Sequence, residues 1–112
     1  MARKDFVLEL GNGADLRGGD PTKAAMRAVH DAIHRGSLYV LDYVDNFDKV
    51  HVEVTVAVPH PETVRTDEVL QVLPVGQKSI QVVAGGLAIP YKADSTEEVI
   101  LANAAVRVWL ET

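Results

Sequence analysis

The sequence predicts a two-layer α+β sandwich: a mixed β-sheet with two helices on one face, in the order β-α-β-α-β-β, near the ferredoxin-like group. Three observations predict it. Val50, Val52, Val54, Val56 and Val58 alternate with Lys49, His51, Glu53, Thr55 and Ala57, the period of a strand with one covered face. Between Asp20 and Gly36 the apolar residues recur instead at helical spacing. Near the C-terminus the two-residue period returns, with Ile100, Ala102, Ala104, Val106, Val108 and Leu110 on one face. The 112 residues read as a single domain, 1–112, able to bury about two-thirds of the surface its unfolded chain exposes.

Taken in order, residues 5–10 form a first strand with Phe6, Leu8 and Leu10 on one face, and a glycine-rich loop follows. Asp20 reads as an N-cap, with Pro21 at the first helical position, where its missing N–H costs nothing. Ala24, Ala25, Met26, Val29, Ala32 and Ile33 supply the apolar face of that helix, which Gly36 closes after Arg35. Leu38–Val44 suits either a short strand or a further helical turn. The valine strand runs from Lys49 to Val58 and stops at Pro59 and Pro61. Thr66 caps a short helix through Leu73, with Asp67 and Glu68 favourably placed in its first turn and Pro74 and Gly76 ending it. Lys78–Ala84 is the next strand, broken by Gly85-Gly86. A mobile segment from Leu87 to Glu97 leads into the last strand.

Composition narrows the function classes. The net charge is −5 and no basic run is present, which argues against nucleic acid or an anionic membrane as partner. No apolar stretch reaches spanning length, and Phe6–Leu10 is too short for a signal core. Cysteine is absent, which removes disulfides, thiolate chemistry and sulfur-ligated metals and fits a reducing cytoplasm. No cofactor motif is present.

The stretch Gly11-Asn-Gly13-Ala-Asp15-Leu-Arg17-Gly18-Gly-Asp20-Pro21 carries the main site expectation. Glycines let a backbone approach a ligand closely, amides near a helix start attract anions, and Arg17 offers a planar fork for carboxylate or phosphate. Gly11, Gly13, Asp15, Arg17, Gly18 and Lys23 are therefore the candidate ligand-binding residues, with Asp15 fixing the geometry. The competing reading is a turn in which Asp15 caps its own loop. A dinucleotide fingerprint fails, because the helix opens only after Gly18, and no Gly-Lys-Ser/Thr signs a P-loop.

Gly11-x-Gly13-x-Asp15-x-x-Gly18, the Asp20-Pro-Thr-Lys-Ala-Ala helix start, the Val-Glu-Val-Thr-Val-Ala-Val-Pro-His-Pro strand and Ala102-Asn-Ala-Ala-Val106 resemble a known family. It is a family of small, single-domain conserved hypothetical proteins of bacteria and, with an extension, plants, signed by G-x-G-x-D-x-H-G. The resemblance spans nearly the whole chain and implies a grouping, with no activity. Arg17 stands at the motif's histidine, a change that keeps an anion contact and loses an imidazole.

Elsewhere, His30 and His34 share a helix face with Lys23 and Arg27, a solvated basic stripe ill suited to a divalent metal, so no metal site is expected. The sheet face away from the helices carries His51, Glu53, Thr55, Gln81, Val83, Val99, Leu101, Asn103, Arg107 and Trp109. Homo-oligomerisation through this face is the first reading, a pocket floored by His51, Glu53, Asn103 and Arg107 the second, ordinary wet strand residues the third. His60, between two prolines, reads as a turn residue, and Lys92 as an exposed lysine that could serve a lid. The leading expectation is a small oligomer binding an anionic or polar metabolite at the glycine loop. The alternatives are a small-molecule hydrolase or lyase at a subunit boundary, with Asp15 or His51 as base and Arg17 or Arg107 as charge stabiliser, and a structural subunit docking through the open sheet face.

Overall fold

Five strands and two helices build the two layers in this computed structural model, which describes residues 2–35 and 44–112. In chain order they are β1 (Arg3–Asp15), α1 (Pro21–Arg35), β2 (Val50–Val58), α2 (Thr66–Leu70), β3 (Gln77–Ala84), β4 (Leu87–Pro90) and β5 (Glu98–Glu111). The sheet order is β1-β5-β2-β3, with β4 pairing β5 beyond the end of β2. β5 runs antiparallel to β1, β2 and β4, whereas β2 and β3 are parallel and joined across α2. The sheet is therefore mixed and both helices cover the same face, as the periodicities predict. None of the described helices is long and apolar enough to cross a membrane.

The core lies between that face and α1. Val50, Val52, Val54, Val56 and Val58 of β2 meet Ile100, Ala102, Ala104, Val106 and Val108 of β5, all 5 % exposed or less. Ala24, Ala25, Ala28, Val29 and Ala32 of α1 close over them with no exposed surface. Alanine on the buried helix face shortens the distance between layers, so branched valines opposite fill the space without larger side chains.

Several boundaries differ from the sequence reading. The first strand does not stop at Leu10 but continues through Gly11 and Gly13 to Asp15, pairing Gly11 with Ala104 and Gly13 with Ala102. The cause is α1, which lies directly on those glycines: a Cβ at Gly11 would stand 2.4 Å from the Ala32 nitrogen, and one at Gly13 2.3 Å from that of Ala28. The glycines thus serve helix–sheet approach within a strand instead of forming a loop. Leu87–Pro90, expected within a mobile segment, is a strand on β5. α2 spans only Thr66–Leu70, and Arg65, not Thr66, is its cap residue, since the Arg65 carbonyl accepts the Glu68 and Val69 N–H groups. Asp20 does cap α1, its Oδ1 accepting the Thr22 N–H at 2.9 Å. Residues 38–43 of the ambiguous Leu38–Val44 segment lie outside the described residues.

Candidate functional site

At the end of the sheet where β1 gives way to α1, a cleft of about 430 Å³ opens between two segments. One wall is Gly18, Gly19, Asp20 and Pro21; the other is His60, Thr63 and Arg65 from the connection between β2 and α2. The volume falls within the range of small-molecule sites.

Polar bonds of the buried Asp15 assemble the first wall. Asp15, 4 % exposed at the end of β1, accepts the Asp20 N–H on Oδ2 at 2.8 Å, while its Oδ1 lies 3.4 Å from the Arg27 guanidinium. This folds the Leu16–Gly19 turn back on itself, with Gly18 and Gly19 in the left-handed region at φ 95° and 60°. Among the described residues, neither of those two amides donates a hydrogen bond. A fully buried Thr22 then ties the walls together, its Oγ1 accepting the Arg65 N–H at 3.0 Å.

The second wall carries the strain. His60 sits at φ 54°, ψ 54°, the one described non-glycine residue with positive φ. For a residue with a Cβ this costs on the order of 1 kcal/mol, and such residues cluster at functional sites. The Thr63 N–H and hydroxyl both donate to the His60 carbonyl, at 3.0 and 2.8 Å. The ring Nε2 lies 3.2 Å from Glu98 Oε1. Arg65 reaches back across the cleft to within 3.5 Å of Asp20 Oδ2 and also bonds Glu68. The Glu68 hydrogen bond and charge, joined by Asp20, outweigh desolvation and raise the Arg65 guanidinium above its ordinary value, a permanent cation at the rim. Two acids, Asp20 and Glu98, therefore share the site with a fixed guanidinium and an imidazole.

Of the six predicted ligand-binding residues, Gly18 lines the cleft. Gly11 and Gly13 lie within a strand and not in a loop, and the close approach they permit is to Ala28 and Ala32; Gly11 also lines a separate hollow with Leu10, Asn12, Asn103 and Ala104. Asp15 lies beneath the cleft with both oxygens occupied by its own chain. Arg17 turns away, over the Tyr91 ring at 4.5 Å and 3.5 Å from Glu97. Lys23 is exposed on α1. His60, Thr63 and Arg65 were missed. The one sequence signal for His60 is Pro61, because a residue before proline is pushed out of the right-handed helical region. Arg65 carries no local signal, since its partner Asp20 is reached only through the fold.

The second predicted group lies on the open sheet face, with His51, Glu53, Arg107 and Trp109 adjacent and Asn103 farther along β5, opposite Ala57. His51 stacks on Trp109 with ring centroids 3.8 Å apart and lies 3.0 Å from Glu111. Trp109 Nε1 donates to Glu53 Oε1 at 2.6 Å, and Arg3 lies over the same indole at 4.6 Å and bonds the same oxygen at 3.2 Å. Asn103 pairs across from Asn12, and Arg107 stands in register between Leu8 and Glu53. Among the described residues no group of three or more metal-ligating side chains comes together.

Comparison with known proteins adds a grouping to this geometry. No curated protein matches the chain. Among solved structures it is similar to the crystal structure of an FtsZ-like protein of unknown function from Nostoc punctiforme PCC 73102. The two are 38% identical with a TM-score of 0.84, covering 100% of this chain and 99% of that one. Residues 5–108 match the family described as conserved hypothetical protein (Lin0512_fam), and with the match covering nearly the whole sequence the chain belongs to that family.

Proposed function

We propose that this protein binds a small polar metabolite carrying an anionic group in the cleft between the Gly18–Pro21 turn and the His60–Arg65 segment. The observation that carries the reading is His60, held in a left-handed conformation by Thr63 on the wall facing two amides without partners. The anionic group sits against the Gly18 and Gly19 amides, and Arg65, itself shared between Asp20 and Glu68, turns part of its guanidinium to it from the rim. A hydroxyl or amine on the same ligand faces Asp20 and Glu98. Asp15 sets the wall's shape from below and does not touch the ligand. In this reading the protein works as a homo-oligomer in the cytoplasm, with assembly covering the open sheet face.

Binding is favoured over the hydrolase or lyase reading because the two bases proposed for it are committed elsewhere. Asp15 serves Asp20 and Arg27, and His51 is clamped between Trp109 and Glu111. The test is a thermal-shift screen of small carboxylates, phosphates and amino acids. A ligand at a hundred times its Kd stabilises by about 2.7 kcal/mol, and the shift should vanish in Arg65→Gln and His60→Ala proteins that melt cooperatively. A screen with no stabilising compound, or stabilisation undiminished in both variants, would refute the proposal.

A further inference from the structure

The two-layer fold leaves the face of the sheet away from the helices uncovered, and its charges are matched in an unusual way. Arg107 projects from the middle of β5, half-buried, and among the described residues it makes no hydrogen bond and no ion pair. Its in-register neighbour on β2 is Glu53, the natural partner across two antiparallel strands. Glu53 is drawn away instead. Its Oε1 takes both the Trp109 indole N–H and Arg3, and Oε2 has no bonding partner among the described residues. Each chain therefore displays, side by side on one open face, a guanidinium without a carboxylate and a carboxylate oxygen without a donor.

An unpaired guanidinium beside a carboxylate that keeps one oxygen open, although its other oxygen is held by Arg3 and Trp109, is self-complementary. We infer that the open face is the interface of a two-fold homodimer, in which Arg107 pairs with Glu53 of the partner subunit, and the reciprocal pair forms on the other side of the axis. The axis runs between β2 and β5, parallel to the strands and midway between the two sheets, which is the aligned packing of stacked sheets. The same rotation covers Leu8 and Leu10, which stand 50 % and 65 % exposed on β1. Area agrees. At about 4.8 Å between strands and 3.3 Å per residue, each strand residue covers about 16 Å² of sheet. The whole face then offers roughly 750 Å², close to what each partner contributes to a standard interface. A self-complementary charge pair favours a second copy over an unrelated protein, which would need its own matching pair at the same spacing. The inference rests on the homo-oligomer reading above and deepens it by naming the symmetry and the charge pair that joins the two copies.

The experiment is a mass measurement by light scattering or sedimentation at tens of micromolar. The wild-type protein should weigh two chains. Arg107→Glu sets like charges against each other and should weaken association at least tenfold, giving monomer, and the Glu53→Arg/Arg107→Glu double variant should regain the dimer. Leu10→Lys, at a side chain already exposed in the single chain, should also give a folded monomer and decides the matter if the charge-swapped protein does not fold. A wild-type monomer would overturn both the inference and the homo-oligomer reading. A dimer whose mass survives Arg107→Glu and Leu10→Lys alike would overturn the inference alone, since assembly would then use another surface.

Discussion

Gly13→Ala is a sharp test of why this family-matching stretch contains glycine. A methyl at Gly13 would lie 2.3 Å from the Ala28 nitrogen and 2.6 Å from the Arg27 carbonyl carbon and Cβ. Ordinary contact begins near 3.4 Å, so α1 must retreat by about 1 Å along the turn that covers Ala104 and Ala102. The obstacle is helix backbone, which cannot swing aside as a side chain would. Inserting one methyl group into a packed interior costs typically 1–3 kcal/mol, and contact with backbone puts this case near about 3 kcal/mol. Against that stands a gain of roughly 0.5–1 kcal/mol from replacing glycine inside a strand. The net loss, about 2 kcal/mol, corresponds to a fall in Tm of about 10 °C for a chain of this size. Thermal unfolding followed by circular dichroism measures it. If the variant melts within 2 °C of the wild type, α1 is not seated on Gly13. The ligand-loop reading of Gly13 predicts that opposite pattern, unchanged stability with lost binding.

Two further perturbations separate stability from binding at the cleft. His60→Gly relieves the left-handed backbone and should raise stability by up to about 1 kcal/mol while abolishing the ligand response; urea unfolding and the thermal-shift screen read the two effects, and a destabilised variant would show that the imidazole contact with Glu98 outweighs the strain. Asp15→Ala leaves the half-buried Asp20 N–H without its acceptor, at a cost of about 1 kcal/mol. Asp15→Asn retains an oxygen for that N–H and should recover most of the loss, and equal urea midpoints for the two variants would show that the Asp20 bond contributes nothing.

How much was legible beforehand can be argued element by element. The valine alternation of β2 and the apolar stripe of α1 were readable because each element buries one face, and burial writes its period into the sequence. The cap Asp20-Pro21 was readable because it solves a local problem of unpaired N–H groups. The second-face group of His51, Glu53, Asn103, Arg107 and Trp109 followed from strand parity alone. By contrast, Leu8 and Leu10 alternate as regularly as the valines yet face outward, because alternation identifies two faces without saying which one a helix will cover. The glycines at 11 and 13 read as a loop because a strand glycine has no signature until the helix above it is known.

The sequence by itself therefore determined the class of the fold, the helix start and the core valines, all of which depend on residues close together in the chain. The tertiary structure decided the rest. It brought His60 and Arg65 against Gly18 and Asp20, seated α1 on Gly11 and Gly13, and turned Glu53 toward Trp109 so that Arg107 was left alone. Each is a contact between residues at least fourteen positions apart, governed by how layers pack and which partner reaches a charged group first, and no local period records it.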